Sequence, residues 1–395
     1  MGEERIETIE NRRVMFGRGE RDYSVDVMRS ISCLMVVAVH VASMTLTKID
    51  AVPDVDNTAL WTDTIMLKCA TVSATNLFLM ISGIFFLSPE RNVTISKVWS
   101  KNLLKLALAY VLWSILYALL RIYYYDPRPY TPDLLFQEAL IQETHLWYIP
   151  MMLGIYVLVP LMRVFTAHAT RKEYLYMIGL LIGAMTLNTV VTICGYYETE
   201  TSANIITIIS RTPTAALCQY PFYCILGYFL YTYPPKVKTR VVIYILGLAG
   251  LAFCFYTAGI LHDDAGINNP IEFLGKFTIG ILAKNTALFI LVITLFSKVR
   301  MGKAFKVVLS KISAATLFVY LYHMVPVRII FKEQWLFVDG FPTFKGLLLY
   351  IILIYAAGII ISFLFLQLIP WVKMRNVILD LVWPNRKLWV TRKKK

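Results

Sequence analysis

Two ionisable side chains stand in the first long apolar segment, SVDVMRSISCLMVVAVHVASM: Arg29 and, eleven positions later, His40. At about 1.5 Å of rise per residue, His40 lies roughly 16 Å deeper along a helix, near the middle of a bilayer. Eleven residues is close to three turns, so both side chains project from one face. An ionisable group at that depth is costly and by default marks a functional site. Histidine titrates near neutrality, which suits general acid or base chemistry. Arg29, nearer the entrance, is placed to hold an anionic ligand or to snorkel to the surface. Asp26 precedes it by three residues, shares its face and can pair with it.

Further polar groups interrupt later apolar runs. His323, in LFVYLYHMVPV, sits just before Pro326. It reads equally as a functional group or as a donor to a carbonyl that the proline frees. Lys284 and Asn285 break GKFTIGILAKNTALFILVITLF, and a lysine so deep either pairs with a buried acid or binds an anion. His145 and Trp147, in ETHLWYIP, open another span at its outer end. Asn76 and Ser82, in ATNLFLMISGIFFL, read as small polar residues at a helix contact, where Gly83 permits close packing. Lys97, Lys101 and Lys105 stand four apart on one face, either setting topology or cradling phosphates. Neither membrane histidine has a second ligand at i+3 or i+4, so no metal is expected.

The elements that carry these residues are membrane helices. Of 395 residues, 58% are apolar and 16% charged, and the mean hydropathy is +0.62. A soluble domain is nearer one quarter charged. The apolar residues fall into runs of about 20, the length of a bilayer span. The reading is an all-α polytopic protein with about ten spans: 25–47, 66–87, 102–124, 146–164, 174–194, 212–232, 241–260, 277–297, 312–331 and 347–371. Residues 1–22 form a polar arm without the pattern of a cleavable signal, 23–371 the membrane domain and 372–395 a basic tail. Loops on the side of the termini hold 29 of the 39 Lys and Arg residues, so both termini are expected in the cytoplasm. The net charge of +14 thus reflects topology and anionic lipid, not nucleic acid. The six cysteines lie in or beside apolar segments without a CxxC pair and read as buried small residues. The alternate loops, 48–65, 123–145, 195–211 and 261–276, are rich in acids and aromatics, with Tyr123 to Tyr125 as interfacial anchors.

In order and spacing these segments resemble the acyltransferase-3 family of membrane acyltransferases, from about residue 20 onward. The resemblance is carried by Asp26, Arg29 and His40 in the D-x-x-R and R-x10-H patterns, by NLFLMISGIFF, by WSKNLLKL, by HLWYIPMMLGIYVLVPLM and by LFVYLYHMVPV. The enterobacterial-common-antigen O-acetyltransferase type is the most similar. The resemblance implies transfer of an acyl group, usually acetyl, from cytoplasmic acetyl-CoA to a hydroxyl of an envelope polysaccharide or lipid-linked glycan at the cell inner membrane. It implies that Arg29 and His40 are essential. On the mechanism this suggests, Arg29, Lys97, Lys101, Lys105 and Ser82 are expected to contact the donor, while Asn76, His145, Trp147, Lys284 and His323 are expected to contact the acceptor or the developing oxyanion. Lysines here replace the family's usual arginines in the third-span motif, and lysine lacks the bidentate fork. A glycan or lipid transporter is the rival reading. It is disfavoured by the lack of internal repeats and of evident broken-helix pairs. Oligomeric state is left open.

Overall fold

The structure is a computed structural model that describes residues 21–52, 57–72, 74–89, 94–141, 143–197, 199–211, 220–265, 278–335, 337–338 and 340–368. These residues are almost entirely helical. Among them nine helices are long and apolar enough to cross a membrane. The tenth expected span, 212–232, is described only as the 13-residue helix α9 (Tyr220–Thr232); residues 212–219 lie outside the described residues. So do residues 1–20 of the expected arm and the whole expected tail. The chain divides into two compact units, and α6 (Tyr148–His168) and α14 (Phe344–Leu368) pass from one to the other.

The first unit takes in the described residues of Met1–Arg91 and Leu161–Tyr355. It opens with α1 (Tyr23–Asp50). Asp22 caps the helix by accepting the Ser24 backbone N–H at 2.9 Å, satisfying a donor that the first turn leaves open. The Tyr231 hydroxyl of α9 donates to the other Asp22 oxygen at 2.8 Å. The buried Asp26 carboxylate takes a two-point contact from Arg21, at 2.5 and 2.9 Å, a partner that the helical spacing did not single out.

The next crossing begins at Thr58 rather than 66 and is broken at Val72 into α2 (Thr58–Thr71) and α3 (Ala74–Phe86). Asp63 is therefore helical, not part of a loop. The loop expected at 195–211 contains α8 (Glu200–Ser210), which follows α7 (Arg171–Tyr197). The helix α10 (Val237–Ala265) runs past His262, which was also expected in a loop. It packs along α11 (Ile279–Phe296). The ninth span is α12 (Lys303–Tyr322), followed directly by α13 (Met324–Lys332). A two-residue hairpin, Phe337–Val338 with Phe341–Pro342, precedes α14. The core of this unit includes Leu46, Trp61, Ile65, Cys69, Ala258 and Ile281, so α1, α2, α10 and α11 share one apolar centre. The five described cysteines are free, and four of them are buried.

The α3–α9 pair shows why two positions must be glycine. A Cβ on Gly83 would overlap the Cys224 carbonyl, and one on Gly227 would overlap the Met80 backbone. Backbones meeting this closely are typical of small residues at membrane helix contacts. Gly83→Ala is expected to destabilise by about 1–3 kcal/mol through overpacking, read as a lower melting temperature of the purified protein. Unchanged melting would show that the two helices part without cost.

The second unit takes in the described residues of Asn92–Pro160 and of Ala356–Lys395. Its central span runs from Val98 to Tyr125, with α4 (Leu104–Leu120) between π-helical turns at Val98–Leu103 and Arg121–Tyr125. The outward residues Val111, Leu112, Ile115 and Leu116 are exposed, as a lipid-facing band requires. The expected loop 123–145 contains α5 (Pro132–Leu140), with Thr131 as N-cap and Pro132 in the first turn, the preferred arrangement for a helix start. Its Glu138 is buried and takes Arg121 at 2.6 Å and Arg128 at 2.5 Å, while Arg121 also donates to Glu143 at 2.9 Å.

Burial alone would raise the Glu138 carboxyl, but the Arg128 and Arg121 hydrogen bonds outweigh it and hold it below the ordinary range. The folded state thus favours the charged form. The network's contribution is complete above the ordinary glutamate value of about 4.3 and is lost as pH falls through the lowered one. Hydrogen-exchange protection of α5 should therefore hold steady down to about pH 4 and fail below it. Loss already at about pH 6 would contradict this assignment.

Candidate active site

Two parallel helices of the first unit bring the leading candidates together. α1 and α12 run side by side in one direction, and their contacts form a ladder. The Lys306 ammonium lies 5.1 Å from the centre of the Tyr23 ring. Arg29 donates to the Ser313 hydroxyl at 3.4 Å, and the Cys33 thiol reaches the Thr316 carbonyl at 3.5 Å. The rings of His40 and His323 are 5.0 Å apart. Partners are offset by 283 or 284 residues throughout, so the helices stay in register. Small residues on the buried face of α12, Ser313, Ala315 and Thr316, permit the close approach.

At one end of this column the Arg29 guanidinium sits 4.8 Å over the Phe85 ring, a cation–π contact. Phe85 lies in the last turn of α3, and that turn is fixed from α6. Arg163 donates to the carbonyls of Phe86 and Ser88 at 2.7 and 2.8 Å. The Thr166 hydroxyl donates to Leu87 at 2.9 Å. A basic side chain is well matched to these terminal carbonyls. In the sequence Arg163 registered only as one more positive loop charge.

At the other end the chain is interrupted at His323. Its N–H closes α12 on Val319 at 2.9 Å, and its carbonyl accepts from Val327 at 3.2 Å. Pro326 has no N–H to offer the Tyr322 carbonyl. The imidazole serves a different group, since its Nδ1 lies 2.6 Å from the Tyr320 carbonyl. A carbonyl only accepts, so Nδ1 carries the proton, and in neutral His323 the Nε2 is a proton acceptor. His323 is fully buried. His40 is only half-buried, although it lies in mid-helix. The pair thus combines a partly exposed imidazole with one fixed in a single tautomer.

Lys284 does different work from binding an anion. Its ammonium donates to the carbonyls of Cys69, Ala70 and Val72, at 2.8, 3.3 and 2.9 Å. These are groups that the break after α2 leaves without helical partners. Three contacts use all three ammonium protons, leaving none for a substrate. Asn285 and Asn76 are fully buried in the same unit, and Ser82 is half-buried beside Gly83. Lys68, almost fully buried on α2, escaped the sequence reading because the span was started at 66. With the helix beginning at Thr58, Lys68 falls well inside the crossing.

The remaining candidates belong to the second unit. His145 is buried, with Tyr117 meeting it edge-on at 5.1 Å and Trp113 beyond Tyr117 at 5.8 Å. Trp147 is half-buried against Tyr148. The Lys105 side chain is exposed, whereas the side chains of Lys97 and Lys101 lie outside the description. No cluster of three or more His, Cys, Asp or Glu side chains able to hold a metal occurs among the described residues.

A family model described as an acyltransferase domain covers residues 22–367, from the cap of α1 to the end of α14. No curated protein and no solved structure matches.

Proposed function

The chain belongs to the acyltransferase-3 family, and from that premise we propose that it moves an acetyl group from acetyl-CoA to a hydroxyl of an envelope glycan or its lipid-linked precursor. The observation that carries the proposal is the column from Arg29 to the His40–His323 pair. It joins a cation near the membrane edge to a proton-accepting site roughly 16 Å further in. That span suits a donor with an anionic head and a long neutral arm ending in a thioester. Arg29, with Lys306 two turns below, meets the phosphates, and the arm lies along the ladder.

In the chemical step His40 takes the proton of the acceptor hydroxyl as its oxygen attacks the thioester carbonyl. The C–S bond then breaks, the acyl–oxygen bond is complete, and the thiolate leaves with the proton held by His40. His323, held through Nδ1 on the Tyr320 carbonyl, orients His40 or shares its charge. Donors for the oxyanion are sought in Asn76 and Ser82; Lys284 drops from that set because its protons serve carbonyls. Lys97, Lys101, Lys105, His145 and Trp147 enter the proposal through the resemblance alone. The basic loops support a cytoplasmic Arg29 end, and an inner-membrane location goes with the cytoplasmic donor and envelope acceptor of this reading.

One feature also suits a carrier. Two crossings of the first unit are interrupted, at Val72 and at His323, although the sequence showed no evident broken pair. Transporters use such breaks in symmetry-related pairs, whereas family membership points to acyl transfer. The test is incorporation of labelled acetyl from acetyl-CoA into the envelope glycan fraction by proteoliposomes. Arg29→Lys is expected to raise the KM for acetyl-CoA about tenfold, because lysine loses the planar stack and fork. Transport of a glycan without incorporation of label would favour the carrier.

A further inference from the structure

The second unit carries an amphipathic helix that none of the above uses. The helix α5 is well capped, yet half of its surface has no protein against it. Phe136 and Leu140, four residues apart on one face, are each 65% exposed, and Ile141 just beyond the helix is exposed as well. Asp133 lies beside them, and Gln137 stands at the far edge of the same face, the two joined by a 2.7 Å hydrogen bond and both exposed. The third side carries Glu138, buried in the arginine network. The exposed face thus runs from Phe136 at one edge to Gln137 at the other, opposite the anchoring Glu138.

The anchoring face fixes the height of α5. Arg121 belongs to the last turn of the Val98–Tyr125 span, and it bonds Glu138 within α5 and Glu143 beyond it. The helix is therefore tied back beside the end of a membrane crossing rather than projecting into water. The apolar side chains continue a surface already assigned to lipid. The exposed band Val111, Leu112, Ile115 and Leu116 on α4 is followed by exposed Tyr123, whose ring stacks on exposed Tyr130 at 6.3 Å and 10°. Tyrosine at this level is the usual interfacial residue, and an exposed apolar patch on a well-ordered helix marks a contact surface.

We propose that α5 is an in-plane anchor: it lies in the membrane interface at the Tyr125 end of its span, with Phe136 and Leu140 among lipid chains and Gln137, at the far edge of the exposed face, toward water. Its partner is the bilayer leaflet, and the arginine–glutamate network sets its depth. The assignment stands apart from the acyl-transfer reading.

The test uses the full chain in vesicles of phosphatidylethanolamine and phosphatidylglycerol, with a nitroxide label at Phe136→Cys, Leu140→Cys or Gln137→Cys. Wild-type protein treated alike sets the background from native cysteines. Collisions with oxygen should exceed those with a water-soluble nickel chelate several-fold at 136 and 140, with the order reversed at 137. Equal access of the chelate at all three positions would place α5 in water and overturn the proposal. Exclusion of both reagents at 136 and 140 would also overturn it, showing that protein, a second copy included, covers the face.

Discussion

Replacing His40 by alanine is expected to lower acyl transfer by about 10²–10⁴-fold, the usual contribution of a positioned general base. Protein abundance in the membrane and binding of acetyl-CoA should stay close to wild type. The imidazole is half-buried and lies 5.0 Å from the His323 ring, so its removal is expected to disturb the fold less than loss of a fully buried group. His323→Ala should act differently. It deletes a fully buried ring bonded to the Tyr320 carbonyl at the junction of α12 and α13, so activity and melting temperature should fall together. Full activity of His40→Ala in the incorporation assay would remove the catalytic role of this residue altogether.

Lys284→Met should be the most damaging single change to stability. It strips the donor from three carbonyls at the α2 break, those of Cys69, Ala70 and Val72. A buried polar group left without its partner costs about 1–3 kcal/mol, and water cannot replace the ammonium in the membrane core. The sum is on the order of 3 kcal/mol or more, seen as a much lower melting temperature in detergent and poor yield. The same experiment separates two roles for this lysine. A variant with normal melting but a raised KM for the acceptor would return Lys284 to substrate binding.

The sequence made some features plain because their cost in lipid is severe. Apolar runs of span length, an imidazole at position 40 and a lysine at 284 need no partner to be noticed, since each is improbable in a bilayer without one. The 3.6-residue period also placed Arg29 and His40 on one face, and the structure puts both against α12. What periodicity could not supply was the partner. The offset of 283 residues that brings His323 to His40, and of 284 that brings Ser313 to Arg29, is a tertiary fact with no local trace. The break at Val72 was hidden because no Gly or Pro marks it; the structure stabilises it from a distant helix through Lys284. Arg163 and Lys68 were passed over for opposite reasons. One looked like an ordinary loop charge, and the other lay two residues inside the expected start of its span, where a lysine can reach the surface. In the loop 123–145 the acids read as an open surface, whereas Glu138 and Glu143 are taken up by Arg121 and Arg128.

The account's central claim is that the Arg29 end of the column receives the acyl donor and that His40 acts on it only afterwards. Calorimetric titration of acetyl-CoA into purified wild-type protein, Arg29→Ala and His40→Ala tests this most directly. The account predicts binding by the wild type, binding at least tenfold weaker in Arg29→Ala, a loss of about 1.4 kcal/mol, and near wild-type binding in His40→Ala. No binding by the wild type, or equal binding by wild type and Arg29→Ala, would contradict it.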